Sequence, residues 1–250
     1  MTYETPEAAY EAFFTHFNAE DAPAWANVMH YPHVRVSAGS GRSMYYETSE
    51  EYAAGSFWDR SEEGWEGWVR TQGITPVRIH ESDERVHLAG GWTRYNAAGE
   101  PIRSNRVTYI LTRLATGWGI QARFGTDSFD EGEDTARSEQ AALEVIQRHL
   151  DAWDTGDLTG CAAVASYPLT DVGIGTVARY ESASDYEATL AAQNWSATAS
   201  HNIHAHQVGR TGVNISVTAT LADSTRAQAL FLVAQQDEVW AITARSRIDS

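Results

Sequence analysis

Three histidines, His201, His204 and His206, cluster in a short stretch of the chain. Imidazole in such a cluster is a common metal ligand. If 203–208 is extended, His204 and His206 share one strand face. No carboxylate or cysteine stands near enough to complete a ligand set, so the spacing fits sheet-surface or pocket-lining histidines and no metal is expected. His30 and His33 flank Tyr31–Pro32 and face either solvent or a pocket mouth. Arg123 and Arg245 end two versions of one motif, WGIQAR and WAITAR. Each alternates away from its Trp and Ile neighbours. These arginines either recognise an anionic group, pair with turn acids, or lie at a contact between domains.

Other chemistries are excluded by what the chain lacks. All 18 basic residues are arginine, which removes Schiff-base, P-loop and general-base lysines. The strand-like segments carry no Asp or Glu inside them. The acids fall at turns (Asp83, Glu84, Glu100, Asp223, Asp237), so paired carboxylates for glycoside cleavage are not expected. The single cysteine, Cys161, occupies an apolar helical position and reads as a buried, inert thiol. A net charge of −16 argues against nucleic acid and against an anionic membrane surface. No apolar run approaches the roughly 18 residues of a membrane span. The first residues, MTYETPEAAYEAFF, show no secretory pattern, so a cytoplasmic location is expected.

The elements that must position these residues occur twice. YEAFFTHFNAEDAPAWANVMHYP, from Tyr10 to Pro32, aligns without a gap on IQRHLDAWDTGDLTGCAAVASYP, from Ile146 to Pro168. YETSEEYAA from Tyr46 matches YESASDYEA from Tyr180, and the two arginine-ended motifs follow in the same order. Each copy is domain-sized and can hold its own core. Residues 1–130 and 139–250 are therefore expected as two domains, with an acidic linker at 131–138. Each copy opens with an amphipathic helix, then a turn and a second short helix reaching Val28 or Val164. Tyr-Pro is expected to end that helix. A strand at 33–37 and a short helix at 49–55 follow. Strands are expected at 74–80, 85–95, 102–114 and 117–124, and at 203–208, 213–221, 227–235 and 239–247. Helices followed by antiparallel strands define an α+β fold.

The order of helix, Asn18–Asp21 or Thr155–Asp157 turn, second helix, short strand, capped short helix and terminal Trp-x-Ile strand resembles the SnoaL-like branch of the NTF2-like superfamily. The resemblance spans both copies. It implies two cones, each a strongly bent antiparallel sheet wrapped around helices, joined as an intramolecular pseudo-dimer, with further homo-oligomerisation open. Isomerases of that family place a carboxylate base just after the first strand. Here Ser37 and Ala38 hold that place in the first copy, and Asp171 precedes it in the second. The Asp–Arg–Asp set of the family's epoxide hydrolases is likewise missing.

The function expected is binding of a small apolar organic molecule, mainly in the first copy and without a cofactor. One alternative is a cyclase, isomerase or hydrolase that uses Tyr, His or Arg in place of the base. Another is an interaction or scaffold module with filled cones. Six of nine tryptophans lie in the first copy, which also carries polar aromatics that the second replaces. The expected ligand-binding residues are Tyr31, His33, Tyr46, Trp58, Trp65, Trp68, Trp92, Tyr109 and Arg123. Elemental analysis of the purified protein should find no stoichiometric zinc or iron; one metal per chain held by His204 and His206 would overturn this.

Overall fold

The computed structural model describes residues 2–55, 58–61, 64–127, 135–192 and 196–249, with Asp249 by its backbone alone. Linker residues 131–134 and Trp195 lie outside the described residues. Thr5 caps α1 (Pro6–Asn18), accepting from the Ala8 amide, with Pro6 at the first helical position and Glu7 in the first turn. Tyr10, Phe13, Phe14 and Phe17 form its buried face. Asp21 then caps α2 (Ala22–Ala26). The chain continues through β1 (Met29–Ser37), β2 (Arg42–Tyr46), α3 (Ser49–Ala53), β3 (Trp68–Gly73), β4 (Val77–Glu81), β5 (Arg85–Asn96), β6 (Pro101–Leu114) and β7 (Gly117–Gly125). The second half runs α4 (Ala136–Asp154), α5 (Leu158–Ala163), β8 (Ala165–Val172), β9 (Val177–Tyr180), α6 (Ala183–Ala192), β10 (Thr198–Val208), β11 (Gly212–Leu221), β12 (Arg226–Gln236) and β13 (Val239–Asp249).

The architecture is α+β, two helix-filled, bent sheets, as the resemblance implies. One sheet has the order β2-β1-β7-β6-β5-β3, with β4 also on β5; the other has β9-β8-β13-β12-β11-β10 read from its far edge. In both, the first strand pairs parallel with the last and the remaining pairs are antiparallel. Bulges bend both sheets at matching places, between Ile110 and Leu111 and between Leu232 and Val233. Further details repeat. Asp157 caps α5 as Asp21 caps α2, both Tyr-Pro bonds are cis, and each of these tyrosines donates to a helix carbonyl, Tyr31 to Ala26 and Tyr167 to Ala162.

Several features differ from the sequence reading, three of which bear on the site. The first strand starts at Met29, so Tyr31–Pro32 lies inside it rather than ending a helix. Between the expected helix at 49–55 and the expected strand at 74–80 lies β3, whose Arg70–Gly73 pair with β5. Asp171 lies within β8, so a strand interior does carry an acid. No helix among the described residues is long and apolar enough to cross a membrane.

Two cores fill the cones and a third lies between the sheets. That third core joins Val34, Val36, Ile110, Ala122 and Phe124 to Val172, Leu230, Leu232, Ala234 and Ala244. Polar bridges frame it: Tyr45 to Thr170 at 2.7 Å, Asn214 to the Phe124 carbonyl at 2.9 Å, and Gln207 to both Thr108 and the Gly90 carbonyl. His87 reaches Ser246 at 3.0 Å, and its Nδ1 lies 3.0 Å from Nδ1 of His80. One of those nitrogens must donate and the other accept, so the pair cannot carry two charges.

Burial holds His30, His80, His149 and His206 down to about 4, and His33 and His87 well below the usual histidine range. Each stays neutral in the fold and takes a proton near about 6.5 once unfolded. Below that pH the unfolded chain binds more protons. Stability is therefore complete above about pH 6.5 and is lost toward pH 4, by about 1.4 kcal/mol per pH unit for each such histidine. Urea midpoints at about pH 7.5, 6 and 5 should fall in that order; a flat midpoint across this range would contradict the account.

Candidate functional site

Aromatic side chains from α1 and α2 meet the concave face of the first sheet. Phe13 and Phe17 pack at 5.2 and 5.1 Å from Trp25, and Tyr10 meets Tyr109 edge-on at 4.9 Å. Offset and edge-on aromatic contacts of this kind add to simple burial. A cavity of about 70 Å³ remains, lined by Phe13, Phe14, Phe17, Trp25, Arg35, Thr71, Trp92, Arg94 and Arg123. Its wall is mostly aromatic and its charged groups are all guanidinium. Its lining, apolar with a few convergent polar groups, is that of a small-molecule site, while its volume is well below the roughly 300 Å³ at which such sites begin.

Of the residues expected from sequence, Trp92 and Arg123 line the cavity. Tyr109 is fully buried against Tyr10 and Phe13, and its hydroxyl has no hydrogen-bond partner. Trp58, Trp65 and Trp68 pack around Phe17 at 5.3, 6.1 and 6.1 Å. Trp58 donates to the Phe17 carbonyl and Trp68 to Thr71, while the Arg94 guanidinium lies 3.6 Å from the Trp65 ring centre. Together they close one side of the cone.

Tyr31, His33 and Tyr46 form a neighbouring group around Tyr52, with Tyr46 4.8 Å and His33 5.2 Å from that ring. Tyr52 joins this group to the cavity by accepting from Arg123 Nη2 at 2.7 Å. His33 does not face solvent or a mouth. It is fully buried, with Nδ1 3.0 Å from the Ile120 carbonyl; Nδ1 must donate there, which leaves Nε2 as an acceptor without a donor. His30 is buried too, 2.9 Å from Thr112. Its ring fills the space that a Cβ on Gly119 would enter at 2.4 Å. The second copy swaps this pair for Ser166 and Ala241.

That α1 is amphipathic was legible in the sequence; that Phe13, Phe14 and Phe17, with Trp25, wall a cavity was not. Arg35 and Arg94 carried no sequence signal, because only strand register turns them toward the cavity.

The second cone has a cavity of the same volume, about 70 Å³, lined by His149, Leu150, Trp153, Val217, Phe231 and Arg245 among others. The two cavities are equal in volume among the described residues and differ in lining. Arg245 donates to Tyr186 at 2.8 Å, as Arg123 does to Tyr52, and also pairs with Asp171 at 2.6 Å. Cys161 is buried against the His149 carbonyl, and burial pushes its thiol up to about 12, which leaves it unreactive.

His204 and His206 do share a strand face, with ring centres 4.4 Å apart, and His206 meets Ser216. No group of three His, Cys, Asp or Glu able to hold a metal occurs among the described residues. Two larger hollows lie where the sheets meet. One of about 260 Å³ is lined by Tyr45, Tyr167 and Arg179, and one of about 740 Å³ by Ile74, Val77, Tyr95, Arg103 and His206. Ile74 and Val77 are exposed, so the larger hollow is an open groove rather than an enclosed site.

No family model and no curated protein matches the sequence. Solved structures do match in fold. They include a putative calcium/calmodulin-dependent protein kinase type II association domain from Thiobacillus denitrificans, at 19% identity and a TM-score of 0.40 over 52% of this chain and 99% of that one. A ketosteroid isomerase-like protein from Erwinia carotovora atroseptica matches at 21% identity and a TM-score of 0.37, covering 50% and 94%. An NTF2-like protein of unknown function from Shewanella baltica matches at 12% identity and a TM-score of 0.37, covering 48% and 98%. Each covers about half of this chain.

The Arg245–Asp171 pair is mostly buried, with side-chain exposures of 7% and 18%. Removing one partner of such a pair leaves an uncompensated charge and costs about 3 kcal/mol. Asp171→Asn should therefore lower the thermal midpoint by several degrees. An unchanged midpoint for Asp171→Asn in a calorimetric scan would contradict the pairing.

Proposed function

We propose that this chain is a small-molecule-binding protein whose working site is the first cone, with residues 1–130 and 139–250 acting as an internal pseudo-dimer. The observation that carries this reading is a cavity walled by Phe13, Phe14, Phe17, Trp25 and Trp92 into which Arg35, Arg94 and Arg123 converge. The volume sets the size of the ligand. Water occupies roughly 30 Å³ in the liquid, so about 70 Å³ holds only a few heavy atoms unless the tryptophans around Phe17 open. The ligand is small, or the Trp58–Trp65–Trp68 side yields to admit it.

An enzymatic reading is weaker because the cavity lacks a base. No carboxylate among the described residues lines it, and burial gives His33 too little proton affinity to serve near neutral pH. The reading of the cones as filled scaffolds draws on the dense packing of Trp25, Trp58, Trp65 and Trp68 on Phe17.

A panel of short aliphatic and aromatic acids and their amides, followed by tryptophan fluorescence, separates these readings. Binding should change the emission of the wild type. The change should vanish in Trp92→Phe and persist in Trp153→Phe, whose tryptophan lines the second cavity. Loss in Trp153→Phe alone would move the site to the second cone, and silence throughout the panel would leave the filled-scaffold reading.

A further inference from the structure

The two cones hold the same arginine in opposite electrostatic settings. Arg123 and Arg245 occupy equivalent places on β7 and β13, and each donates to an equivalent tyrosine. Parallel pairing sets Arg245 in register with Asp171 of β8, which supplies its counter-charge. The same pairing sets Arg123 in register with Arg35 of β1. Where the second cone carries its own carboxylate, the first carries a second guanidinium.

Arg123 is buried, at 9% exposure, and forms no ion pair with an acid among the described residues. Its Nε–H has no acceptor, as is also true of Arg245, so what sets it apart is charge: the guanidinium of Arg35 opposes its own. Arginine does not shed its proton in a protein, so this charge remains. A buried charge without a counter-ion is costly, whereas a guanidinium fork matches a carboxylate through paired, charge-assisted hydrogen bonds. Asp171 therefore shows, in the second cone, the chemical group that no described residue of the first cone supplies to Arg123.

We propose that the ligand of the first cone is a small organic acid, whose carboxylate takes beside Arg123 the place that Asp171 takes beside Arg245. This rests on the assignment of the first cone as the ligand site. The acid's head lies between Arg123 and Arg35, and its apolar remainder lies against Phe13, Phe14 and Trp92. The second cone needs no such ligand because its own side chain already supplies the anion. Duplication with a single charge reversal, Asp171 in one copy and Arg35 in the other, divides the two cones into one that is self-neutralised and one that takes a ligand.

The test compares propionate with propionamide, and phenylacetate with phenylacetamide, by calorimetry and tryptophan fluorescence on the full chain. Within each pair the shape is nearly the same and only the charge differs. The acid should bind at least about tenfold more tightly than its amide, with an affinity that falls as salt rises. Arg123→Gln should abolish the preference. Arg35→Asp restores the second cone's arrangement beside Arg123, so it should abolish acid binding. If Arg35→Asp does not fold, Arg123→Gln still decides the matter. Equal affinity for acid and amide, or an acid preference that survives in Arg123→Gln, would overturn the proposal while leaving the first cone a ligand site. Binding of neither member of either pair, with Trp92 emission unchanged, would remove the ligand-site assignment and the proposal with it.

Discussion

Everything in each cone is arranged around one buried guanidinium near the end of the last strand. Placing arginine among Phe13, Trp25 and Tyr52, or among His149, Phe231 and Tyr186, is unfavourable unless its charge and its donors are met. The fold meets part of that demand identically in both halves, through a tyrosine on the short capped helix. The charge is further met by Asp171 in the second cone only, while the Nε–H of both arginines stays without an acceptor. That asymmetry, and not the number of tryptophans, separates the two copies.

The bent sheet makes this placement possible. Bulges at Ile110–Leu111 and Leu232–Val233 turn the long strands so that one face wraps the first helix and the other meets the opposite sheet. The convex faces carry short aliphatic side chains (Val34, Val36, Ala122, Leu230, Leu232) that form the core between the sheets. The concave faces carry the aromatics and the arginines. Strand alternation thus assigns the same strands both to the contact between sheets and to the cavity. Histidines at the outer face, His80, His87 and His206, remain neutral by burial, which ties the contact to pH.

Much of this was legible in the sequence, and what was not has physical causes. The repeated blocks, helix caps and long central strands rest on local signals: Thr5 with Pro6, Asp21 with Asp157, and turn residues between alternating runs. β2 and β9 were missed because short edge strands carry little periodicity. β1 was read too late because a Tyr-Pro step resembles a breaker, although in the fold it is accommodated within the strand. Trp65 and Trp68 were recognised as a closing group, but an aromatic-rich stretch does not by itself reveal that Trp68 begins a strand. Arg123 stood out through duplication. The pairing of Asp171 with Arg245, and of Arg35 with Arg123, depends on parallel register between strands far apart in the chain, which no local pattern encodes.

The central claim is that Arg123 is a guanidinium awaiting a carboxylate and Arg245 is not. The most direct measurement follows the side-chain Nε–H resonances of the two arginines by nitrogen-15 NMR while propionate is added. The account predicts that the Arg123 signal moves to a saturating position and the Arg245 signal stays in place. An immobile Arg123 signal, or movement at Arg245 instead, would contradict it.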